Sequence, residues 1–195
     1  IGYDVNQTYV TALQQGNSSI IDVPSSELKE ALDSGRFVPT HRAGDLSRAD
    51  IYLICVPTPL SKTRQPDMSY IQGAVDTISK LWTSGKLLVL ESTTYPGTTD
   101  ELLLPLLSEP SLTIDEDFLL AFSPERVDPG NTSHPLASIP KVVGGVTEAS
   151  TRVAAELYQT AFEKVHTVSS ARAAELSKLL ENTFRNVNIA LANEF

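Results

Sequence analysis

The sequence predicts an α/β fold, with a doubly wound and mostly parallel sheet followed by one long helix. Short apolar runs alternate with segments of helical periodicity along the whole chain, which is the pattern of such a sheet. The run ADIYLICVP is apolar and rich in β-branched residues, and it closes with a proline, as expected of a buried parallel strand. No internal repeat and no low-complexity linker interrupts the alternation.

Seven short apolar runs are predicted as strands, the first of them being only the end of a strand. In chain order they are IGYD, RFVPT, ADIYLICVP, KLLVLEST, DFLLAFSPE, PKVVGGV and KVHTVSS.

Six segments are predicted as helices from their periodicity and their end signals. SSELKEALDSG begins with serines that can cap a helix and stops at Gly35. GTTDELLLPLLSE contains Pro105, which predicts a kink or an early stop. TEASTRVAAELYQTAF has Thr147 as its cap. The others are the segment Val5–Gln15, SYIQGAVDTISKLW and the closing run AELSKLLENTFRNVNIALANEF.

The length of the chain bounds its domain organisation. With 195 residues, it corresponds to one ordinary domain or to one domain plus part of a second. We place the sheet domain at residues 1–168 and the start of a helical domain at residues 169–195. The chain starts at Ile1 rather than at a methionine and stops inside a helix, so we expect it to be a fragment.

The charge balance argues against some partners. A formal net charge of −9 disfavours a nucleic-acid surface, because neutralising phosphates requires clustered Lys and Arg. It does not exclude an anionic small molecule, since a local pocket can be positive on an acidic protein. No apolar stretch is long enough to span a membrane, and the chain does not open with a secretory leader. We therefore expect neither a nucleic-acid partner nor a membrane.

Cys55 is the only cysteine, which excludes an internal disulfide framework and a cysteine zinc site. This fits a reducing, cytoplasmic setting. Its place inside an apolar strand predicts a buried, inert thiol. His41, His134 and His166 lack the spacing of a metal site, so we expect no metal.

Asp4 lies just past the first predicted strand. In a dinucleotide-binding fold, a carboxylate at this point accepts hydrogen bonds from the adenosine ribose hydroxyls, and its charge would repel a 2′-phosphate. This interpretation favours NAD over NADP. The alternative is a surface aspartate that caps the helix starting at Val5. The Gly-rich phosphate loop of such a Rossmann-like fold would lie about 20 residues earlier, before Ile1.

Hydroxyl groups follow two further strands. VPTPL offers Thr58, and ESTTYPG offers Ser92, Thr93 and Thr94. Ligands of open parallel sheets bind beyond the carboxyl ends of the strands, where small donors can approach a cofactor closely. The alternative is ordinary turn chemistry, in which threonine and proline are common.

The segment FSPERVDPGN follows a third strand and contains Glu125 and Arg126, after which Asp128 and the pair Pro129–Gly130 turn the chain away. A carboxylate fixed at a strand end can order a water molecule or take a proton. The alternative is an Arg–Glu pair on a surface turn.

The closing helix has an apolar side and a polar side at about 100° per residue. The apolar side contains Leu176, Leu180, Val187 and Leu191, and the polar side contains Lys178, Asn182 and Arg185. Such polar stripes are often solvated faces. Asparagine is a poor residue for the interior of a helix, however, and NTFRNVN contains three asparagines. We therefore favour a stripe that faces a ligand.

VPTPL, ESTTYPGTT, FSPERVDPGN, IPKVVGGVT and KLLENTFRNVNIALANE together resemble the UDP-glucose/GDP-mannose dehydrogenase family, in the same order and over essentially the whole chain. The resemblance implies a Rossmann-like NAD domain, a long central helix that dimerises and a second domain that binds a nucleotide sugar. It also implies oxidation of the C6 alcohol of a nucleotide sugar to a carboxylate. Two NAD are consumed, through a thiohemiacetal and a thioester on a catalytic cysteine.

The resemblance implies roles for individual residues. Asp4 looks like the acid that binds the ribose, and Thr58 and Thr93 look like cofactor contacts, with Thr93 also helping to orient the hydrolytic water. Glu125 resembles the carboxylate that assists thioester hydrolysis. Lys178 resembles the cation that stabilises the oxyanion of the tetrahedral intermediates.

Three more residues are candidate contacts of the nucleotide-sugar substrate. Asn182 resembles the partner of the lysine near the sugar and the water. A lysine and an asparagine one helical turn apart can both reach one reacting carbon, where preorganised donors stabilise developing negative charge. Arg126 and Arg185 are placed near the substrate.

The chain departs from the family pattern at both ends. The catalytic cysteine and its acidic neighbour belong to sequence that would follow Phe195, and Cys55 lies in the wrong motif to replace them. We expect this polypeptide alone to be inactive and to bind NAD weakly or not at all. We expect the whole protein to form a homodimer or a higher homo-oligomer through the closing helix.

The form SPERVDPGN places Pro129 where the UDP-glucose enzymes, with an SPEFL-x-E pattern, have a second acid. It resembles the branch that acts on UDP-N-acetylglucosamine or UDP-N-acetylmannosamine, with UDP-glucose and GDP-mannose as the alternatives. Two other classes stay open from the residues. One is a non-catalytic Rossmann-like module, and the other is a single-oxidation dehydrogenase of the 6-phosphogluconate or 3-hydroxyacid type.

Overall fold

The computed structural model describes residues 1–60, 65–108, 112–126 and 136–195. The predicted turn at Asp128–Gly130 and the residue His134 lie outside these ranges. The described chain forms two compact units, one made of residues 1–49 and one made of the described residues from 50 to 195. The placement of a domain boundary at residue 168 stays a prediction.

The first unit pairs two short parallel strands, β1 with β2, in the register Gly2 to Pro39. The packing at Gly2 is close, because a Cβ there would lie 2.5 Å from Cε2 of Phe37. The strand predicted in RFVPT is confirmed by this pairing, but only its last two residues, Pro39 and Thr40, form it. The elements are β1 (Gly2–Tyr3), α1 (Gln7–Gln14), α2 (Ser25–Asp33), β2 (Pro39–Thr40) and a 3₁₀ turn (Ala43–Arg48).

The second unit contains a five-stranded sheet in the order β3-β4-β5-β6-β7. Every neighbouring pair is parallel except β5 with β6, which is antiparallel. The mostly parallel α/β sheet is thereby confirmed. The strands are β3 (Ile51–Ile54), β4 (Lys86–Leu90), β5 (Phe118–Phe122), β6 (Lys141–Gly145) and β7 (Val165–Thr167).

The helices of this unit lie between the strands, and the last one closes the chain. They are α3 (Ser69–Ser79), a π-helical turn (Thr98–Leu103), α4 (Leu104–Leu107), a 3₁₀ turn (Leu136–Ser138), α5 (Glu148–Gln159) and α6 (Ala171–Glu194). The Thr147 cap is confirmed, since its side chain accepts a hydrogen bond from the backbone N–H of Ser150. Pro105 lies where π geometry gives way to α geometry, because a proline offers no N–H to the preceding turn.

The core is centred on β4, where all four residues from Leu87 to Leu90 are buried, as a central parallel strand requires. The prediction of a buried β3 was only half right. Tyr52 and Ile54 are buried, but Ile51 and Leu53, which lie on the opposite face of the strand, are 40% and 48% exposed, so only one face of β3 is covered.

The prediction that Cys55 is buried was wrong, since the residue just after β3 is exposed. Local desolvation, and then the Glu91 carboxylate, raise the pKa of its thiol to about 11, so the thiol is protonated at neutral pH. No helix among the described residues combines the length and the apolar character needed to cross a bilayer.

Candidate active site

The segments that follow β3 and β4 are bound to each other by hydroxyl groups. Thr58 Oγ1 donates a 2.7 Å hydrogen bond to the backbone oxygen of Thr93. Ser92 is buried, and its Oγ donates to the backbone oxygen of Val56 at 2.7 Å. Thr93 itself is exposed, and its hydroxyl makes no hydrogen bond to a described residue. The structure thus brings the two predicted hydroxyl clusters together and leaves one hydroxyl available.

The segment after β5 is bound to α6 by two cations. Lys178 Nζ donates to the backbone oxygen of Glu125. Arg126 Nη2 pairs with Glu181 Oε1 at 2.5 Å, and Arg126 Nη1 donates to the backbone oxygen of Pro140 at 3.2 Å. The alternative interpretation of this segment, an ion pair between its own Glu and Arg, was wrong about the partner, which belongs to α6.

The polar stripe of α6 is only partly engaged. Lys178 and Asn182 are half-buried, and Arg185 is exposed. The side chains of Asn182 and Arg185 make no hydrogen bond to any described residue. The structure therefore brings Lys178 and Glu125 together, whereas Asn182 and Arg185 have no polar contact with the candidate site.

Glu175 is a buried carboxylate that the sequence analysis missed. Only 1% of the residue is exposed. Its Oε2 accepts from the backbone N–H of Gly97 at 2.5 Å, and its Oε1 accepts from the backbone N–H and the hydroxyl of Thr99 at 2.9 and 2.7 Å. Burial raises the pKa of this carboxyl, while the hydrogen bonds act in the opposite direction. Extending the α6 stripe by three residues toward its start would have included Glu175.

A second missed group is a buried network beside Ser92. Lys141 Nζ pairs with Glu91 Oε2 at 2.8 Å, and Tyr158 donates from its hydroxyl to Glu91 Oε1 at 2.5 Å. The ammonium also lies 4.8 Å from the centre of the Tyr158 ring. Burial and the Glu91 charge raise the pKa of the Tyr158 hydroxyl. No sequence signal connects these residues, because they come from three separate elements.

Asp4 is half-buried and directly follows β1, in the first unit. Its Oδ1 accepts from the backbone N–H of Asn6 at 2.8 Å. The alternative in which Asp4 caps a helix from Val5 was wrong. The helix begins at Gln7, and the side chain of Asn6 is its cap.

A family model matches residues 1–162 of the chain, and it describes the NAD-binding domain of the UDP-glucose/GDP-mannose dehydrogenase family. Among curated relatives, the chain is 38% identical over 196 residues to a UDP-N-acetyl-D-glucosamine 6-dehydrogenase from Pseudomonas aeruginosa. It is equally identical to a UDP-N-acetyl-D-mannosamine dehydrogenase from Pyrococcus horikoshii. These alignments cover 100% of this chain and 46% and 47% of the relatives, so the chain spans about half of their length.

Solved structures give the same result. A UDP-D-ManNAc dehydrogenase from Pyrococcus horikoshii matches with a TM-score of 0.91 and 38% identity, over 99% of this chain and 46% of that one. A UDP-N-acetyl-mannosamine dehydrogenase from Staphylococcus aureus matches with a TM-score of 0.87 and 37% identity, over 99% and 47%. A 3-hydroxyisobutyrate dehydrogenase from Mycobacterium tuberculosis, at 17% identity and a TM-score of 0.62 over 99% and 62%, shares the fold alone.

The cofactor, the Rossmann-like fold and the resemblance predicted from the sequence agree with these matches. The family model covers more than three quarters of the chain, and the structural matches span almost all of it. The chain therefore belongs to the UDP-glucose/GDP-mannose dehydrogenase family, and its residues 1–162 match the NAD-binding domain of that family.

Proposed function

We propose that the chain is part of an NAD-dependent nucleotide-sugar 6-dehydrogenase that acts on a UDP-N-acetylhexosamine. The whole protein would oxidise the C6 alcohol to a uronic acid in two NAD-linked steps. The observation that carries this proposal is the contact between Lys178 and the Glu125 segment, because it holds a cation of α6 at the carboxyl end of β5. Ligands of parallel α/β sheets bind at such strand ends.

Three side chains are proposed to contact NAD. Asp4 follows β1 and uses only Oδ1 within the described chain, which leaves Oδ2 to accept from a ribose hydroxyl. Thr58 and Thr93 lie at two joined strand ends and would contact the cofactor. When bound, NAD supplies the acceptor for the hydride that leaves C6.

Three side chains would take part in the chemical steps. The Lys178 ammonium would stabilise the oxyanion of the tetrahedral intermediates, since a preorganised cation in a shielded site is most effective where charge develops. Glu125 would assist hydrolysis of the thioester by activating the water that Thr93 orients.

Three further side chains would bind the substrate. Asn182 lies one helical turn beyond Lys178 and would contact the sugar and the water. Arg126 and Arg185 are proposed as additional contacts of the nucleotide sugar. The exposed position of Arg185 leaves it available for such a contact.

The choice of substrate is supported by the relatives. Two of the relatives at 38% identity are named for UDP-N-acetyl-D-glucosamine and UDP-N-acetyl-D-mannosamine. A UDP-glucose dehydrogenase from Pyrobaculum islandicum has 27% identity, and a GDP-mannose dehydrogenase has 22%. We therefore place UDP-glucose and GDP-mannose second. A role in supplying precursors of cell-surface polysaccharide, in the cytoplasm, is part of this proposal.

The test uses the full-length protein with UDP-N-acetylglucosamine, UDP-N-acetylmannosamine, UDP-glucose and GDP-mannose, following NADH by absorbance. We expect reduction of two NAD for each N-acetylhexosamine and little with the other sugars. Reduction of one NAD per substrate would instead support a single-oxidation dehydrogenase. No NADH with any sugar would support a non-catalytic nucleotide-binding or dimerisation module.

A further inference from the structure

Glu175 caps a helix that belongs to a distant part of the sequence. The helical segment that starts at Thr98 leaves its first backbone N–H groups without partners inside the helix, as every helix does. Its own cap position is Gly97, with φ at +102° and no side chain. The carboxylate of Glu175 in α6, more than 70 residues away in the chain, accepts from Gly97 and Thr99 instead. A negative charge at a helix N-terminus is also favoured by the helix dipole.

Both sides of this contact lie close in sequence to residues of the candidate active site. On α6, Glu175 lies three residues before Lys178, so the two side chains share one side of the helix. On the other end, Gly97 lies four residues after Thr93. The short segment between Thr93 and Gly97 is stabilised by a hydrogen bond, since Thr98 Oγ1 donates to the backbone oxygen of Tyr95 at 2.7 Å.

The start of α6 is held at four points spaced three residues apart. Arg172 and Glu175 bind the segment after β4, while Lys178 and Glu181 bind the segment after β5. The Glu175 contact is the buried one, because Glu175 is 1% exposed, whereas the side chains of Arg172 and Glu181 are 53% and 44% exposed. Water competes little for a buried hydrogen bond, so the Glu175 contact should dominate the position of this part of the helix.

We propose that Glu175 is a positioning residue for the dehydrogenase reaction: its carboxylate fixes α6 on the segment after Thr93 and thereby sets the place of the Lys178 ammonium. This inference rests on the proposed function. Glu175 does not touch the reacting atoms itself and acts through Lys178. The role requires an acceptor at both carboxylate oxygens, because all three groups that face it are donors.

The chemistry of the contact defines the variants. Glu175→Gln keeps the shape but turns an NH₂ group toward a backbone N–H, so one of the contacts becomes donor against donor. Thr99→Val removes the hydroxyl contact with little change of volume, and Thr99→Ser retains it. Glu156 is an exposed glutamate on α5, and Glu156→Gln is the matched control.

The experiment measures kcat, the KM for the nucleotide sugar and the Kd for NADH in full-length variants that circular dichroism shows to be folded. Glu175→Gln should lower kcat by about 10- to 100-fold, the loss expected when a catalytic group moves by roughly 1 Å, with cofactor affinity nearly unchanged. Thr99→Val should cause a smaller loss, and Thr99→Ser and Glu156→Gln should match the wild type.

A double-mutant cycle separates positioning from general stability. If Glu175 acts through Lys178, adding Glu175→Gln to Lys178→Ala should change kcat by less than about twofold. Additive losses, or a folded Glu175→Gln variant with the kcat of the wild type, would overturn the inference while leaving the proposed function intact. A wild-type protein that reduces no NAD with any sugar would overturn the proposed function and this inference together.

Discussion

Lys178 is the residue on which the proposed chemistry most depends. Its ammonium already has one partner, the backbone oxygen of Glu125, and lies on the half-buried part of α6. A cation fixed in this way needs little reorganisation when negative charge develops nearby. Removing this ammonium should therefore lower kcat.

In the full-length protein, Lys178→Ala should lower kcat by about 100- to 1,000-fold, the usual loss when a donor to an oxyanion is removed. The Kd for NAD, measured by calorimetry, should change little. Lys80→Ala is the control, since Lys80 is an exposed lysine at the end of α3. Equal losses in turnover and in NAD affinity would contradict the oxyanion role.

Asp4 gives a prediction about cofactor choice. Asp4→Asn keeps an oxygen that can accept from the backbone N–H of Asn6 but removes the charge that would repel a 2′-phosphate. We expect NAD to bind about 10- to 100-fold more weakly, as for the loss of a charge-assisted hydrogen bond, and discrimination against NADP to decrease. Asp22→Asn, at an exposed aspartate of the same unit, is the control. Unchanged preference in titrations with both cofactors would argue against this assignment.

The buried pair of Lys141 and Glu91 makes a stability prediction. Lys141→Met would leave the Glu91 carboxylate buried and without its cation, which should cost about 3–5 kcal/mol of unfolding free energy. Tyr158→Phe removes one hydrogen bond to the same carboxylate and should cost about 1–3 kcal/mol.

The measurement for these variants is denaturant unfolding followed by the fluorescence of Trp82. This residue is buried in the second unit, and the centre of its ring lies 5.7 Å from the centre of the Phe118 ring, so its fluorescence reports on that unit. Lys80→Met is the control, because Lys80 is an exposed lysine at the end of α3 and its replacement should cost under about 1 kcal/mol. Similar losses of unfolding free energy for the Lys80 and Lys141 variants would show that burial of the Glu91 pair adds nothing.

At the scale of elements, the start of α5 followed its predicted local cap, whereas the starts of α2 and of the helical segment after β4 did not. The predicted serine cap of α2 was wrong, because the helix begins at Ser25 after Pro24 and no side chain caps it. Thr147 caps α5 as predicted, because the hydroxyl of a threonine and the nearby N–H are close in sequence. The helix after β4 has a glycine at its cap position and takes its cap from Glu175. A partner so far away in the chain has no local signature.

The apolar side of α6 is exposed along its length. Leu180 is 67% exposed and Phe184 is 69% exposed, and Leu176, Val187 and Leu191 are also exposed. Exposed apolar patches of this kind mark interaction surfaces more often than solvated faces. We propose that this side of α6 forms the homodimer interface expected from the sequence.

Leu180→Glu in the full-length protein should shift the sedimentation coefficient toward that of the monomer, since it places a charge within the proposed apolar interface. Asn186→Glu is the control, because Asn186 is also exposed on α6 but does not belong to the apolar side. An unchanged oligomer with Leu180→Glu would move the interface to another surface.

At the scale of the whole molecule, the chain spans 46–47% of the relatives with which it aligns. From the resemblance, we propose that the whole protein has its catalytic cysteine outside residues 1–195. We expect residues 1–195 alone to produce no NADH and to bind NAD weakly or not at all. We expect the full-length protein to bind NAD and to produce NADH. Full activity of residues 1–195 would show that no further cysteine is needed. A reading frame with no Gly-rich segment and cysteine beyond Phe195 would also contradict the proposal.

The sequence by itself determined the order and type of the elements, the mostly parallel sheet and the strand ends where the hydroxyls lie. These depend on periodicity and on residues close in the chain, which a single sequence displays directly. It also placed Lys178 and Asn182 on one side of a helix, because helical geometry is local.

Only the tertiary structure decided which groups meet. The contact of Lys178 with the Glu125 segment, the pairing of Arg126 with Glu181, and the buried partners of Glu91 and Glu175 each join residues from separate elements. The antiparallel pairing of β5 and β6 is of the same kind. Such contacts depend on how the elements pack against each other, and packing depends on the shape and burial of side chains that lie far apart in the sequence.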